Sequence, residues 1–190
     1  MKKILLIDNY DSFTYNLLHL IKSNFNGKVI VKRDYQLLNE DYSVYNAIFF
    51  SPGPGDPNTT PIIMECLSKC YKTHPIFGVC LGMQCINSFF NGETVKSNYP
   101  VHGKSDIVYT KNSSLLYKKI PNNFNVARYH SLKIVPGNDL IITGLTESNI
   151  IMSIEHKTLP IFGVQFHPES FLTEYGNEII KNFIRGVNIE

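Results

Sequence analysis

Three short stretches hold side chains that could do chemistry together. The first is Gly78-Val79-Cys80-Leu81-Gly82-Met83-Gln84, which follows the apolar run Ile76 to Val79 and leads into a helix-competent segment. A glycine two places on either side of a thiol suits a sharp strand-to-helix turn, because glycine tolerates unusual backbone angles and close approach of other backbone. Such a nucleophile elbow would present Cys80 at a sheet edge and a helix N-terminus, a setting that suits an anionic nucleophile. The competing reading is a buried cysteine in a packing turn. The second stretch is His167-Pro168-Glu169, an imidazole and a carboxylate two residues apart. In extended chain, residues i and i+2 point the same way, and Pro168 tends to keep His167 extended. Glu169 could fix the imidazole tautomer while His167 activates a thiol. The third is Ser51-Pro52-Gly53-Pro54-Gly55, stiff through its prolines and open at its backbone N–H groups through its glycines. It suits an oxyanion or substrate loop. Each stretch alone also reads as an ordinary turn, so their joint placement decides.

The elements that must position them alternate. Strands are expected at Lys2 to Asp8, Val29 to Val31, Ala47 to Phe50 and Ile76 to Val79, separated by helices from Phe13 to Ser23 and Pro61 to Tyr71 and by an irregular Asp34 to Tyr45. The apolar strands lack alternation, as in a sheet covered on both faces. Asp11 or Ser12 is the expected cap of the first helix, and Thr60-Pro61 opens the second. Strand–helix alternation implies an α/β fold with an open, mostly parallel, doubly wound sheet. From Glu93 to Leu145 the texture changes to short β-like segments: Ile107 to Thr110, Phe124 to Arg128, Leu132 to Val135 and Ile141 to Thr143. These predict an antiparallel extension at the sheet edge. Two more strands, Ile150 to Glu155 and Ile161 to Phe166, precede a last helix over Asn177 to Arg185. Cys80, His167 and the Gly53–Gly55 loop then all lie at carboxyl ends of strands, where open α/β sheets bind their ligands.

Composition narrows the class. A chain of 190 residues, 43% hydrophobic and 18% charged, is expected to form one globular domain over 1–190. A net charge of +2 gives no reason to expect nucleic acid, and no apolar run approaches a membrane span. No signal peptide is evident, so the expected compartment is a reducing, cytoplasmic one with Cys66, Cys70, Cys80 and Cys85 free. Cys66, Cys70 and His74 fall on one helix face but lack a fourth ligand, so no metal site is expected.

With Arg128-Tyr129-His130-Ser131-Leu132 and the full run Gly163-Val164-Gln165-Phe166-His167-Pro168-Glu169-Ser170, the motifs together resemble class I glutamine amidotransferases. The resemblance runs from Ile4 to Phe183 and implies a flavodoxin-like sheet. Asp8-Asn9-Tyr10-Asp11-Ser12-Phe13 and His102-Gly103-Lys104 are similar to the small subunits of anthranilate synthase and aminodeoxychorismate synthase. It implies Cys80 as nucleophile, His167 as general base and then acid, and Glu169 as its orienter. It further implies that Gly53, Pro54, Gly55 and the Leu81 N–H form the oxyanion hole, and that Gln84 with the Ser131 and Leu132 backbone holds glutamine. No cofactor is implied in this chain; Mg²⁺ is expected on a separate chorismate-using synthase subunit, partnered as heterodimer or heterotetramer. Met83 stands where many relatives carry His, Cys85 is unusual beside Gln84, and His130 and His102 are expected to be structural or interface residues. Alternatives are the amidotransferase subunit of imidazole-glycerol-phosphate synthase, a non-catalytic regulatory relative, and a general thiol hydrolase.

Overall fold

The computed structural model describes residues 1–190, apart from the side chains of Asn98, Tyr99 and His102. The expectation placed on His102 therefore lies outside the described residues. Thirteen elements follow in order: β1 (Lys3–Ile7), α1 (Thr14–Lys22), β2 (Lys28–Lys32), β3 (Ala47–Phe50), α2 (Pro61–Cys70), β4 (Ile76–Val79), α3 (Leu81–Phe89), β5 (Glu93–Thr110), β6 (Asn123–Val135), β7 (Leu140–Leu145), β8 (Ile151–His156), β9 (Ile161–Val164) and α4 (Gly176–Gly186). Short 3₁₀ turns at Asp34–Gln36 and Tyr42–Val44 fill the segment expected to be irregular.

All nine strands join one sheet in the order β2-β1-β3-β4-β9-β8-β7-β5-β6. The first five run parallel, an order equivalent to the flavodoxin-like 2-1-3-4-5 arrangement. The remaining pairs are antiparallel. Alternate residues of each parallel strand feed opposite layers. Ile4, Leu6, Phe49 and Phe77 pack with α1 and α4, through Leu17, Ile21, Ile180 and Phe183. Leu5, Ile7, Phe50 and Ile76 pack with α2 and α3, through Ile63, Leu67, Met83 and Ile86. Phe183 anchors the first layer, edge-on to Phe49 and Phe77 at 5.2 Å between ring centroids. Burying such a ring contributes about 1.5–3 kcal/mol, so the layer that fixes β3 and β4 is stiff.

The antiparallel half is longer than the local pattern suggests. Phe124 to Arg128 and Leu132 to Val135 belong to one continuous strand, β6, and Ile107 to Thr110 is only the end of the 18-residue β5. Their ladder carries register shifts between Lys96 and Val101 and between His102 and Lys104. No helix among the described residues is long and apolar enough to cross a membrane.

Candidate active site

The turn after β4 is built by its glycines. Cys80 leaves the strand with φ 52° and ψ −102° and caps α3. A Cβ on Gly78 would sit 2.5 Å from the carbonyl carbon of Gly82, and a Cβ on Gly82 would sit 2.7 Å from Cβ of Phe50. The first turn of α3 thus folds back onto β4 and β3 at a distance only glycine allows. A non-glycine residue at positive φ costs on the order of 1–3 kcal/mol. Cys80 is held there by its N–H on the Val164 carbonyl at 2.8 Å and by its carbonyl on the Gln84 N–H at 3.1 Å. Met83 packs against Gly163, which accounts for an apolar residue at this position.

The adjacent parallel strand supplies the imidazole. Val79 pairs with Val164, so the segments leaving β4 and β9 run side by side. His167 Nδ1 bonds Glu169 Oε1 at 2.7 Å, and both side chains are buried. The neutral or charged imidazole donates Nδ1–H to the carboxylate, which directs Nε2 elsewhere. Nε2 is buried without a hydrogen bond of ordinary geometry, and Cys80 is its close neighbour. Burial alone would push the His167 pKa down; the Cys80 sulfur and the Glu169 carboxylate outweigh it and raise the group to about 10. The ring is clamped edge-on by Phe13 at 5.4 Å and Tyr129 at 5.0 Å, and Thr173 Oγ1 donates to the His167 carbonyl at 2.6 Å.

In front of Cys80 lies a cavity of about 180 Å³. It is lined by Gly53, Pro54, Gly55 and Cys80, by Gln84, and by Tyr129, His130, Ser131 and Leu132. His167, Glu169 and Leu81 lie outside that lining. The Gly53 turn is fixed from the N-terminal strand: Asn9 N–H donates to Ser51 Oγ and Asn9 Nδ2 to the Ser51 carbonyl, both at 2.9 Å. A Cβ on Gly53 would lie 2.6 Å from Asn9 Cβ and 2.9 Å from Leu81 Cδ2, so this turn sits directly against the start of α3. Gly55 has φ +87°, which an L side chain resists. A larger cavity of about 430 Å³ lies on the other side of Pro54 and Gly55, toward Asp8, Tyr10 and Ile62. No thiol or imidazole lines it, so the smaller cavity is the one equipped for chemistry.

Behind that wall lie further polar residues, and His130, expected to be structural or at an interface, is tied to them. His130 Nδ1 donates to the Leu132 carbonyl at 2.7 Å, and Arg128 Nε donates to His130 Nε2 at 3.0 Å. Asp106 on β5 pairs with Arg128 Nη1. Burial, then the charges of Arg128 and His167, push the His130 pKa down to about 4. The neutral ring thereby braces the Ser131–Leu132 backbone. Gln165, fully buried, donates from Nε2 to Cys80 Sγ at 3.3 Å and accepts from Gln84 Nε2 at 3.1 Å. The available signal was its position: Gln165 and His167 are two residues apart on the same segment. The remaining cysteines are free and buried. Cys85 bonds Thr60 Oγ1 at 3.2 Å, and burial pushes its pKa up to about 12. Among the described residues, no cluster of three or more His, Cys, Asp or Glu is arranged to hold a metal.

Comparison with known proteins places these features in a family. The profile of "Glutamine amidotransferase class-I" matches residues 5–187. Anthranilate synthase component 2 of Azospirillum brasilense is 41% identical over 187 residues, covering 95% of this chain and 94% of that protein. Aminodeoxychorismate/anthranilate synthase component 2 of Bacillus subtilis is 39% identical over 187 residues, covering 95% of each. A solved glutamine amidotransferase from Thermotoga maritima superposes with a TM-score of 0.72 at 13% identity, covering 98% of this chain and 82% of that one. At that identity the likeness speaks to the fold alone.

Proposed function

Since the chain belongs to the class-I glutamine amidotransferase family, we propose that it is the glutaminase subunit of a chorismate-using synthase, making either anthranilate or aminodeoxychorismate. The observation that carries the reading is Cys80 and the Gly53–Gly55 turn on one small cavity, with the buried His167–Glu169 pair next to Cys80 behind it. The relatives' names, each a synthase component 2 in the Azospirillum brasilense and Bacillus subtilis proteins, support the choice of partner class, and the Bacillus subtilis relative carries both product names.

In this reading Cys80 Sγ bonds the side-chain amide carbon of L-glutamine, and the carbonyl π pair moves onto oxygen. Backbone N–H groups of the Gly53–Gly55 turn and of Leu81 receive that charge, each worth ~3 kcal/mol in comparable sites. His167 hands its proton to the amide nitrogen as the carbon–nitrogen bond breaks and ammonia leaves. Water, losing a proton to His167, then attacks the γ-glutamyl thioester; glutamate departs and the proton is shared again between sulfur and imidazole. Glu169 holds the ring's tautomer throughout. Gln84 and the Ser131–Leu132 backbone hold the amino-acid end. Ammonia passes to the synthase, on which Mg²⁺ and chorismate chemistry reside.

The test is reconstitution with a chorismate-using synthase and identification of the aromatic product. Cys80→Ala should abolish product formation from glutamine and leave formation from added ammonia intact. Glutamine-dependent synthesis at the wild-type rate in Cys80→Ala would refute the mechanism, and failure of ammonia to substitute in that complex would refute the division of labour.

A further inference from the structure

One buried amide in the site has a role in neither half of the mechanism above. Gln165 is fully buried, yet both ends of its side chain are engaged, with Nε2 on Cys80 Sγ at 3.3 Å and Oε1 on Gln84 Nε2 at 3.1 Å. The backbone explains how it gets there. Gln165 N–H donates to the Met152 carbonyl at 2.8 Å, and Cys80 N–H to the Val164 carbonyl at 2.8 Å. Gln165 is thus fixed to β8 on one side and lies beside Cys80 on the other. The result is a continuous chain of donors, Gln84 to Gln165 to sulfur.

We infer that Gln165 is a further catalytic residue: its amide holds the Cys80 sulfur in the attacking rotamer and simultaneously sets which way the Gln84 amide faces the substrate. The inference rests on the reading of Cys80 as nucleophile and Gln84 as a contact of glutamine. Amide chemistry gives the direction. An amide has donors at one end and an acceptor at the other. With Nε2 turned to the sulfur, Oε1 is the end that meets Gln84 Nε2, and Gln84 spends an N–H on it. That leaves Gln84 Oε1 free as an acceptor at the cavity, matched to the ammonium end of an amino acid. Reversing the Gln165 amide would reverse Gln84 as well. The orientation of the recognition amide is therefore coupled to the state of the nucleophile. An unpaired amide at this depth is costly, which keeps the chain of bonds intact. The other ionisable groups around the sulfur are His167, with Glu169 beyond it, and His130 across from His167.

Two substitutions separate the two ends. Gln165→Glu keeps an acceptor for Gln84 but turns a carboxylate oxygen on the sulfur. Gln165→Met removes both bonds at similar volume. The full chain is alkylated with iodoacetamide across pH 5 to about 10, modification of Cys80 is followed by peptide mass, and L-glutamine is titrated as protectant. Gln165→Glu should move the Cys80 profile about one pH unit higher and leave the protection constant within about threefold. Gln165→Met should slow alkylation and weaken protection about tenfold. In the unsubstituted chain, the Gln165 side-chain N–H signals should shift when Cys80 is alkylated, which reads the contact with no change at position 165. Profiles and protection that superpose on the unsubstituted chain for both variants would overturn the inference, as would Gln165 signals indifferent to alkylation. A chain in which glutamine does not protect Cys80 at all would instead overturn the underlying reading.

Discussion

Acid should loosen this protein through the His130 ring. His130 is 3% exposed, donates to the Leu132 carbonyl and accepts from Arg128. It is neutral in the fold because burial and two neighbouring cations bring its pKa from 6.5 down to about 4. A histidine with a depressed folded pKa binds its proton more readily when unfolded. Its effect on stability is therefore absent above the unfolded pKa and grows as pH falls from 6.5 toward 4. The full gap corresponds to about 3 kcal/mol at about 1.4 kcal/mol per pH unit, and about 2 kcal/mol of it should be lost already at pH 5. His130→Asn removes the titration while keeping an N–H near the place of Nδ1. At neutral pH it should cost about 1–3 kcal/mol, because Arg128 Nε loses a buried acceptor. The assay is urea unfolding of both proteins from pH 7.5 to 5. The stability difference should shrink by about 2 kcal/mol over that range. Parallel curves would refute the argument, since the acid sensitivity would then arise elsewhere. His167 cannot mimic the effect: its raised pKa gives stability that is complete below 6.5 and is lost only toward about 10.

Gly82→Ala should destabilise the chain by about 1–3 kcal/mol through contact with Phe50, and should lower glutaminase kcat more than it raises KM, because it displaces the elbow rather than the glutamine contacts; chemical denaturation with steady-state kinetics reads both. Asp8→Ala removes the acceptor for Tyr10 N–H and Thr14 Oγ1, at 2.9 and 2.8 Å, and should cost about 2–3 kcal/mol, with little of it from the surface-exposed Arg33 partner. Saturating synthase should raise the kcat for glutamine hydrolysis, since the Gly53–Gly55 turn and the segment after His167 are loops that a docked subunit can tighten; equal kcat with and without synthase would count against that.

The parallel half of the sheet was legible because each buried strand is a continuous apolar run ended by turn residues. β5 and β6 were not. Pro100, Gly103 and two register shifts break their alternation, and a long hairpin is held by partners that local pattern cannot name. The caps were also misread in part. Thr60 makes no side-chain cap, because its hydroxyl turns to Cys85 and the Asp56 and Pro57 carbonyls. Asp11 bonds the N–H of Phe13 just ahead of α1 rather than capping it from within. At the site, Cys80, His167, Glu169 and the glycine turn stood out because their residue types and spacings are chemically unusual. The Asp106–Arg128–His130 relay and Gln165 did not. Gln165 sits two residues before His167, which is a local signal, but the contacts themselves run across β5 and β6 and between the segments leaving β4 and β9, which local pattern does not name.

The central claim is that Cys80 attacks the side-chain amide of glutamine. Its most direct test is labelling by an electrophilic glutamine analogue, read by intact mass and peptide mapping on the full chain with synthase present. The account predicts one adduct per chain, on Cys80, formed more slowly as L-glutamine is added and strongly slowed by His167→Ala. An adduct on Cys66, Cys70 or Cys85 instead, or labelling of Cys80 that glutamine does not slow, would contradict it.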